Sequence, residues 1–248
     1  MITKLTKLTT NLGTLVLRNP SGIRHVLGTA LSASEEVLRP EGDVRSFPAA
    51  SVWQIAPYVA DPRCEVHLFR EVQAAISPLE ALALASLIRS HGYKRVFEFG
   101  TYKGVSTTQF ALNVGSDGKV YTLDLPENDP RHGLAITSRQ EEELTAEKGK
   151  GALIPADLLA RVEFLREDSA QFDPAAFENQ IDFVFVDGAH SAAYVENDTK
   201  KGWRMLRTGG SIAWHDCNSR HHEVVRFLKR FEHSVTRVAD TSLVFCTK

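Results

Sequence analysis

The sequence predicts an α/β fold: a doubly wound, mostly parallel sheet with helices on both faces, preceded by an N-terminal helical extension. Three observations lead there. Residues Arg95 to Thr107, RVFEFGTYKGVST, read as an apolar strand, a glycine turn and the start of a helix. In that arrangement a backbone closely approaches a nucleotide-like ligand, although an ordinary strand-to-helix turn has the same outline. Further along, strand-like and helix-like stretches alternate as far as Trp214, which implies a sheet covered on both faces. Ile181 to Val186 is apolar at nearly every position, as befits a parallel strand buried on both sides.

Bulk properties narrow the functional classes. A chain of 248 residues, 43% hydrophobic and 24% charged, suits one large soluble α/β domain with an appendage. A net charge of −2 without a Lys/Arg block argues against a nucleic-acid partner. Cys64, Cys217 and Cys246 are scattered without CxxC spacing, against a disulfide framework and a structural zinc site. The opening MITKLTKLTTNLGTLVLR lacks an uninterrupted apolar core, so no signal peptide is expected. The longest apolar run, Ala81 to Ile88, falls short of the ~18 residues that span a bilayer. A cytoplasmic location without membrane contact is the expectation.

Taken in order, residues 1–75 form an extension, expected to cap the substrate, join subunits of a homo-oligomer or cover an exposed patch. Leu12 to Leu38 has helical stretches broken at Asn19-Pro20-Ser21-Gly22. Glu41 to Pro48 reads as a linker, Trp53, Ile55, Tyr58 and Val59 as docking residues, and Cys64 to Phe69 as a short strand. The main domain, 76–248, opens with Ser77-Pro78-Leu79-Glu80: Ser as N-cap, Pro in the first turn, Glu three residues after the cap. Leu79, Leu82, Ala83 and Leu87 follow at helical spacing, and His91-Gly92 closes the helix.

Strands are expected at Lys119 to Leu125, Val162 to Arg166, Ile181 to Val186 and Ser211 to Trp214, with helices at Ala192 to Leu206 and His221 to His233. Val235 to Val238 and Ser242 to Cys246, around Asp240-Thr241, read as two strands joined by a tight turn. Between Asp124 and Val162 a polar loop and a charged helical stretch, Arg139 to Lys150, make a connection longer than a crossover needs. It leaves the carboxyl end of a strand, where ligands bind in such sheets, so it reads either as a lid or as a solvated excursion.

Several residues at strand ends can carry chemistry. Glu98 lies inside an apolar strand, where a carboxylate needs partners, and Gly100 and Gly104 shape the turn. Asp124 follows Gly104 by 20 residues, and an acid there can accept hydrogen bonds from ribose hydroxyls. Asp168-Ser169 closes the third strand and can equally cap the next segment. Lys103 reads as exposed, and His132, His221 and His222 as surface residues.

The spacing Glu98-x-Gly100-x-x-x-Gly104 differs from the Gly-x-Gly-x-x-Gly of dinucleotide binders. It resembles the first motif of class I S-adenosylmethionine-dependent methyltransferases, especially the catechol-type small-molecule O-methyltransferases. Val186-Asp187-Gly188-Ala189-His190, then Tyr194, Asp198, Leu206, Gly209-Gly210 and His215-Asp216, resembles a bacterial branch of the same enzymes. The likeness covers roughly Ser77 to Lys248 and implies a seven-stranded Rossmann-like sheet with an antiparallel last strand. It implies methyl transfer to a small-molecule hydroxyl, with S-adenosylmethionine as cofactor. Glu98, Gly100, Tyr102, Gly104 and Ser106 would serve the methionine part, Asp124 the ribose, and Asp168 and Ser169 the adenine. Asp187 and Asp216 would hold a divalent metal. Two carboxylates suit Mg²⁺ or Ca²⁺, whereas His190 or His215 completing the set would suit Mn²⁺, Fe²⁺ or Zn²⁺. One departure is Cys217, with Asn218 one further on, where these enzymes carry asparagine after the second aspartate. His190, at the position of a catalytic lysine, is the expected general base beside Asp187, since neutral imidazole can take a proton near pH 7. Three competing readings are an N-methyltransferase, disfavoured by Asp187-Gly188-Ala189-His190 in place of Asp/Asn-Pro-Pro-Tyr, a nicotinamide-dependent dehydrogenase, disfavoured by the glycine spacing, and a non-catalytic protein of the same fold.

Overall fold

The structure, a computed structural model, describes residues 43–56, 63–70, 72–129, 131–136 and 139–248. The expected helical stretches within Leu12 to Leu38, with Tyr58 and Val59, lie outside them. Eight strands form one sheet: β1 (Ala49–Ala50), β2 (Arg95–Phe99), β3 (Lys119–Asp124), β4 (Val162–Arg166), β5 (Ile181–Val186), β6 (Leu206–Trp214), β7 (Thr236–Val238) and β8 (Val244–Thr247). Their order is β1-β7-β8-β6-β5-β2-β3-β4. β4, β3, β2, β5 and β6 run parallel, while β8 pairs antiparallel with β6 and β7. The seven strands expected between Arg95 and Cys246 are present, and the two-residue β1 adds an edge by pairing with β7.

Strand periodicity divides the core into two layers. Val96, Val120, Phe183, Phe185 and Ala213 face one side, against α1 (Pro78–His91) and α2 (Val105–Asn113). Phe97, Phe99, Val184, Ile212 and Trp214 face the other, against α4 (Ala192–Met205) and α5 (His222–Leu228). A further helix, α3 (Arg139–Ala146), lies in the long connection after β3, and a four-residue helical turn, Val52–Ile55, follows β1. Both helical stretches expected around α3 and α5 are longer than the helices that form.

Local readings fared unequally. The capping box at Ser77 is present, with Ser77 Oγ accepting from Glu80 N and Glu80 Oε2 accepting from Ser77 N. Of the expected row Ala83 and Leu87 are buried, together with Ala81, Leu84, Ala85 and Ile88, whereas Leu79 and Leu82 are 38% and 39% exposed. In a helix apolar all round, several rows satisfy the same spacing and only packing chooses among them. The expected linker packs from Val44 onward, with Val44 and Phe47 in the core. Trp53 does not dock: it is 88% exposed, although Ile55 is buried. No strand forms over Cys64 to Phe69. There the backbone of Glu65 pairs with the Asn113 side chain at 2.9 and 2.7 Å, and that of His67 with Gln109 at 3.0 and 2.9 Å. Side-chain amides of α2 thus replace the neighbouring strand.

Two glycines separate conformational need from close approach. Gly92, at φ 63°, ends α1 with open space around the position of a Cβ. Gly100, at φ 96°, passes so close to Asp187 that a Cβ would strike its carbonyl oxygen. Gly92→Ala is therefore expected to cost only the left-handed backbone penalty, about 1–2 kcal/mol. Gly100→Ala adds a backbone clash and should lose clearly more in urea denaturation. Equal losses would contradict the close contact.

Candidate active site

Parallel sheets open a crevice where neighbouring strands send their connections to opposite faces. Here that place is the carboxyl ends of β2 and β5, flanked by β3 and β6. A cavity of about 740 Å³ occupies it. The turn after β2 forms its floor. Asp124 Oδ2 accepts from the amides of Thr101 at 3.0 Å and Tyr102 at 2.8 Å, which fixes the turn on the end of β3. Its other oxygen pairs with the buried ammonium of Lys150.

Lys150 belongs to the long connection, which folds back onto the glycine turn. Gly151 N donates to Tyr102 O at 2.7 Å, Leu153 N to Lys103 O at 3.0 Å, and Glu127 Oε1 accepts from the amides of Gly149 and Lys150. Lys103 is not simply solvated, since it pairs with Glu147 at 2.9 Å and donates to Lys148 O. Gly104 carries no cavity wall; it leaves room for Ile154 and Gly151.

Glu98 lies below the cavity and is fully buried. It shares a face with Val96, which places its carboxyl under the first turn of α2 and opposite Thr122 in register. Ser106 and Thr107 donate at 2.5 Å and Thr122 at 2.6 Å. Burial raises its pKa to about 7 despite these donors, which lower it. Glu80 is the opposite case. Burial works against its charge, yet His215, through hydrogen bond and charge, and the amides of Ser77 and Ser242 hold it at about 2.

On the far wall, Asp168 accepts from Gly133 N at 2.6 Å, Ala170 N at 2.9 Å and Tyr194 Oη at 3.0 Å. It both caps its own turn and holds the loop 131–136 across the opening. Ser169 lines the cavity, and its carbonyl accepts from Asn197 at 3.0 Å and from Lys201. Behind them Asp198 is buried, which raises its pKa to about 7.

The remaining end gathers imidazoles and carboxylates. Asp187 follows β5 directly and Asp216 lies two residues after β6. His215 Nδ1 lies 2.9 Å from Asp187 Oδ1 and 3.4 Å from Asp216 Oδ2, while its Nε2 lies 3.3 Å from Glu80. Burial disfavours the imidazolium, but the charge of Asp187 and bonds to all three acids raise its pKa well above the usual range. His190 Nε2 is 2.9 Å from Asp216 Oδ2, and His221 Nε2 is 3.9 Å from the same oxygen. Burial opposes the charge of Asp216 too, but hydrogen bonds from His190 and His215 hold its carboxyl far below the ordinary range. Its backbone sits at φ 54°. Tyr102 at φ 43° and Ala74 at φ 56° also line the cavity, so left-handed non-glycine residues gather there.

Of the residues expected at the site, Gly100, Tyr102, Ser106, Asp124, Asp168, Ser169, Asp187, His190 and Asp216 line this one cavity, whereas Glu98 and Gly104 support it from behind. His132, His221 and His222, read from sequence as surface residues, line it as well. Sequence reasoning also passed over Lys150, 26 residues beyond Asp124, and the link from Glu80 to His215. Neither left a signal in spacing.

Comparison with known proteins bears on the same region. Residues 97–217 match a family described as a methyltransferase domain, the likeness that the glycine motif and Asp-Gly-Ala-His led us to expect. Caffeoyl-CoA O-methyltransferase of Stellaria longipes is 27% identical over 138 residues, 56% of this chain and 52% of that protein. Tricin synthase 1 of Oryza sativa subsp. japonica is 31% identical over 137 residues, 54% of this chain and 50% of its own. The chain spans about half the length of the curated relatives it matches. Among solved structures, the Bacillus cereus O-methyltransferase in complex with SAH superimposes with a TM-score of 0.50 at 19% identity, covering 71% of this chain and 84% of that one. At that identity the match speaks for the Rossmann-like fold alone.

Glu98 binds its proton more tightly folded than unfolded. Its contribution to stability is thus complete below the ordinary carboxyl value of 4.5 and is lost as pH rises through about 7. Glu98→Gln should remove part of that decline. The difference in unfolding free energy between variant and wild type should change by on the order of 1–3 kcal/mol between these limits. A difference independent of pH would show that the three hydroxyls already stabilise the charge in full.

Proposed function

We propose that this chain is an S-adenosylmethionine-dependent methyltransferase that methylates the hydroxyl of a small molecule. The observation that carries this reading is the single cavity joining the Gly100–Gly104 turn and Asp124 to the His190–Asp216 pair. A sulfonium nucleoside fits the first end. Asp124 keeps acceptor capacity on Oδ1 for ribose, the rim at Asp168 and Ser169 receives the adenine, and Tyr102 and Ser106 take the methionine portion. The relatives described as O-methyltransferases support oxygen as the acceptor atom.

His190 is the base of this proposal. Its Nε2 lies 2.9 Å from Asp216 Oδ2, and the imidazole takes the acceptor's proton. Asp216 orients the ring and stabilises the imidazolium that forms, as in other acid–histidine pairs. The substrate oxygen then attacks the methyl carbon in line, the oxygen–carbon bond forms as the sulfur–carbon bond of the sulfonium breaks, and S-adenosylhomocysteine leaves. Positioning supplies most of the acceleration, and the extension, through Gln73 to Ala75 on the cavity wall, shapes the acceptor end. Nδ1 of His222, next to His221 at this end, is buried without a hydrogen-bond partner, so a polar acceptor suits it.

A hard dication between Asp187 and Asp216 does not fit these residues. The Nδ1 of His215 already stands between the two carboxylates, and Mg²⁺ or Ca²⁺ asks for oxygen ligands in that place. No step of the proposal passes through such an ion.

Titration calorimetry with S-adenosylhomocysteine should show one site per chain, weakened about 10–100-fold in Asp124→Asn, the worth of hydrogen bonds to a charged group. No uptake by folded protein would end the proposal. With a panel of small catechols, phenols and sugars as acceptors, His190→Ala should lower turnover about 10²–10⁴-fold while leaving S-adenosylhomocysteine affinity within a few-fold. Unchanged turnover would remove His190 from the mechanism.

A further inference from the structure

We infer that Lys150 is a specificity-determining residue for the nucleoside: with Asp124 it reads both hydroxyls of the ribose, one donating to Asp124 Oδ1 and the other accepting from Lys150 Nζ. This rests on the function proposed above and gives the nucleoside end of the cavity a cationic partner. Lys150 and Asp124 both line the cavity, and their ammonium and carboxylate are in contact. The two side chains are only 3% and 14% exposed. The pair is therefore part of the wall, unlike a surface ion pair reaching in from solvent.

The acid by itself cannot serve both hydroxyls. A carboxylate offers about four lone-pair positions. The amides of Thr101 and Tyr102 converge on Oδ2, and Lys150 takes a position on Oδ1, so one is left for a ligand. A cis-diol brings two hydroxyls side by side, and the second needs another partner or goes unpaired in a closed site. The ammonium supplies that partner. Lysine carries several N–H donors, and among the described residues Lys150 Nζ meets no acceptor besides Asp124. Donor and acceptor thus stand together, matching a diol in which one hydroxyl gives its proton and the other accepts one.

The backbone that carries the ammonium is fixed. Glu127 Oε1 accepts from the amides of Gly149 and Lys150 at 2.9 Å, Arg166 Nη2 donates to Lys150 O at 3.3 Å, and Gly151 N donates to Tyr102 O at 2.7 Å. Gly149 and Gly151, at φ 80° and 78°, turn the chain on either side. Lys150 therefore enters the cavity from a segment tied to the glycine turn itself. Little freedom remains to be lost when a ligand arrives.

The test is titration calorimetry of the full-length chain with S-adenosylhomocysteine and its 2′-deoxy and 3′-deoxy analogues, on wild type and Lys150→Met. Each missing hydroxyl should cost wild type about 10–100-fold in affinity, the worth of a hydrogen bond to a charged group. In Lys150→Met one analogue should bind within about twofold of the parent, because the partner of that hydroxyl is gone, while the other keeps its penalty. A residue that merely latches the loop would weaken all three ligands equally. Penalties unchanged in a folded variant would therefore overturn the assignment. So would an analogue that wild type binds as tightly as the parent, and this comparison decides even if the variant does not fold. If folded wild type takes up no S-adenosylhomocysteine, the methyltransferase reading and the role of Lys150 fall together. Uptake with penalties that the substitution leaves unchanged removes the role of Lys150 alone.

Discussion

The backbone at Gly100 passes within touching distance of the Asp187 carbonyl, and the rest of the site depends on that approach. Only a residue without Cβ allows it. Around it the two strand ends are tied by Asp187 N donating to Phe99 O at 2.9 Å and Gly100 N to Leu123 O at 2.8 Å. The same turn points the amides of Thr101 and Tyr102 at Asp124. Three strand ends thus meet as one rigid rim, and the side chains placed on it inherit that rigidity.

Charge is distributed over this rim by partner type rather than by depth. Glu98 and Glu80 are both buried, yet their carboxyls shift in opposite directions. Glu98 is met by three neutral hydroxyls, which do not offset the loss of water. Glu80 is met by backbone amides and by His215, whose own charge is sustained by Asp187 and Asp216. Glu80 also bonds Ser242, so the start of α1, the turn before β8 and the imidazole end of the cavity share one side chain. A group far from the acceptor in sequence is in this way part of its electrostatic setting.

The long connection after β3 settles between its two sequence readings in favour of contact. Its far end docks on the glycine turn through Gly151 and Leu153, and its near end is held by Asp168 and Tyr194. Lys150 is delivered to Asp124 by that docking. A charged stretch that looked solvated therefore supplies a buried ammonium, because its glycines at 149 and 151, both with positive φ, let the chain turn inward.

From the sequence by itself came the order of strands and helices, the Ser77 cap, the glycine turn and the acids at strand ends. Each of these follows from local rules: period-two burial, cap chemistry, and backbone freedom at glycine. Residues on strand ends were legible as a site because parallel topology brings such ends together whatever the loops do. Tertiary structure alone decided which apolar row of α1 faces inward, that Gln109 and Asn113 would stand in for a strand beside residues 65–67, and that Lys150, His221 and Glu80 belong to the site. Those contacts join segments distant in the chain, and no spacing or propensity records them. They exist only once the sheet has set where each loop lands.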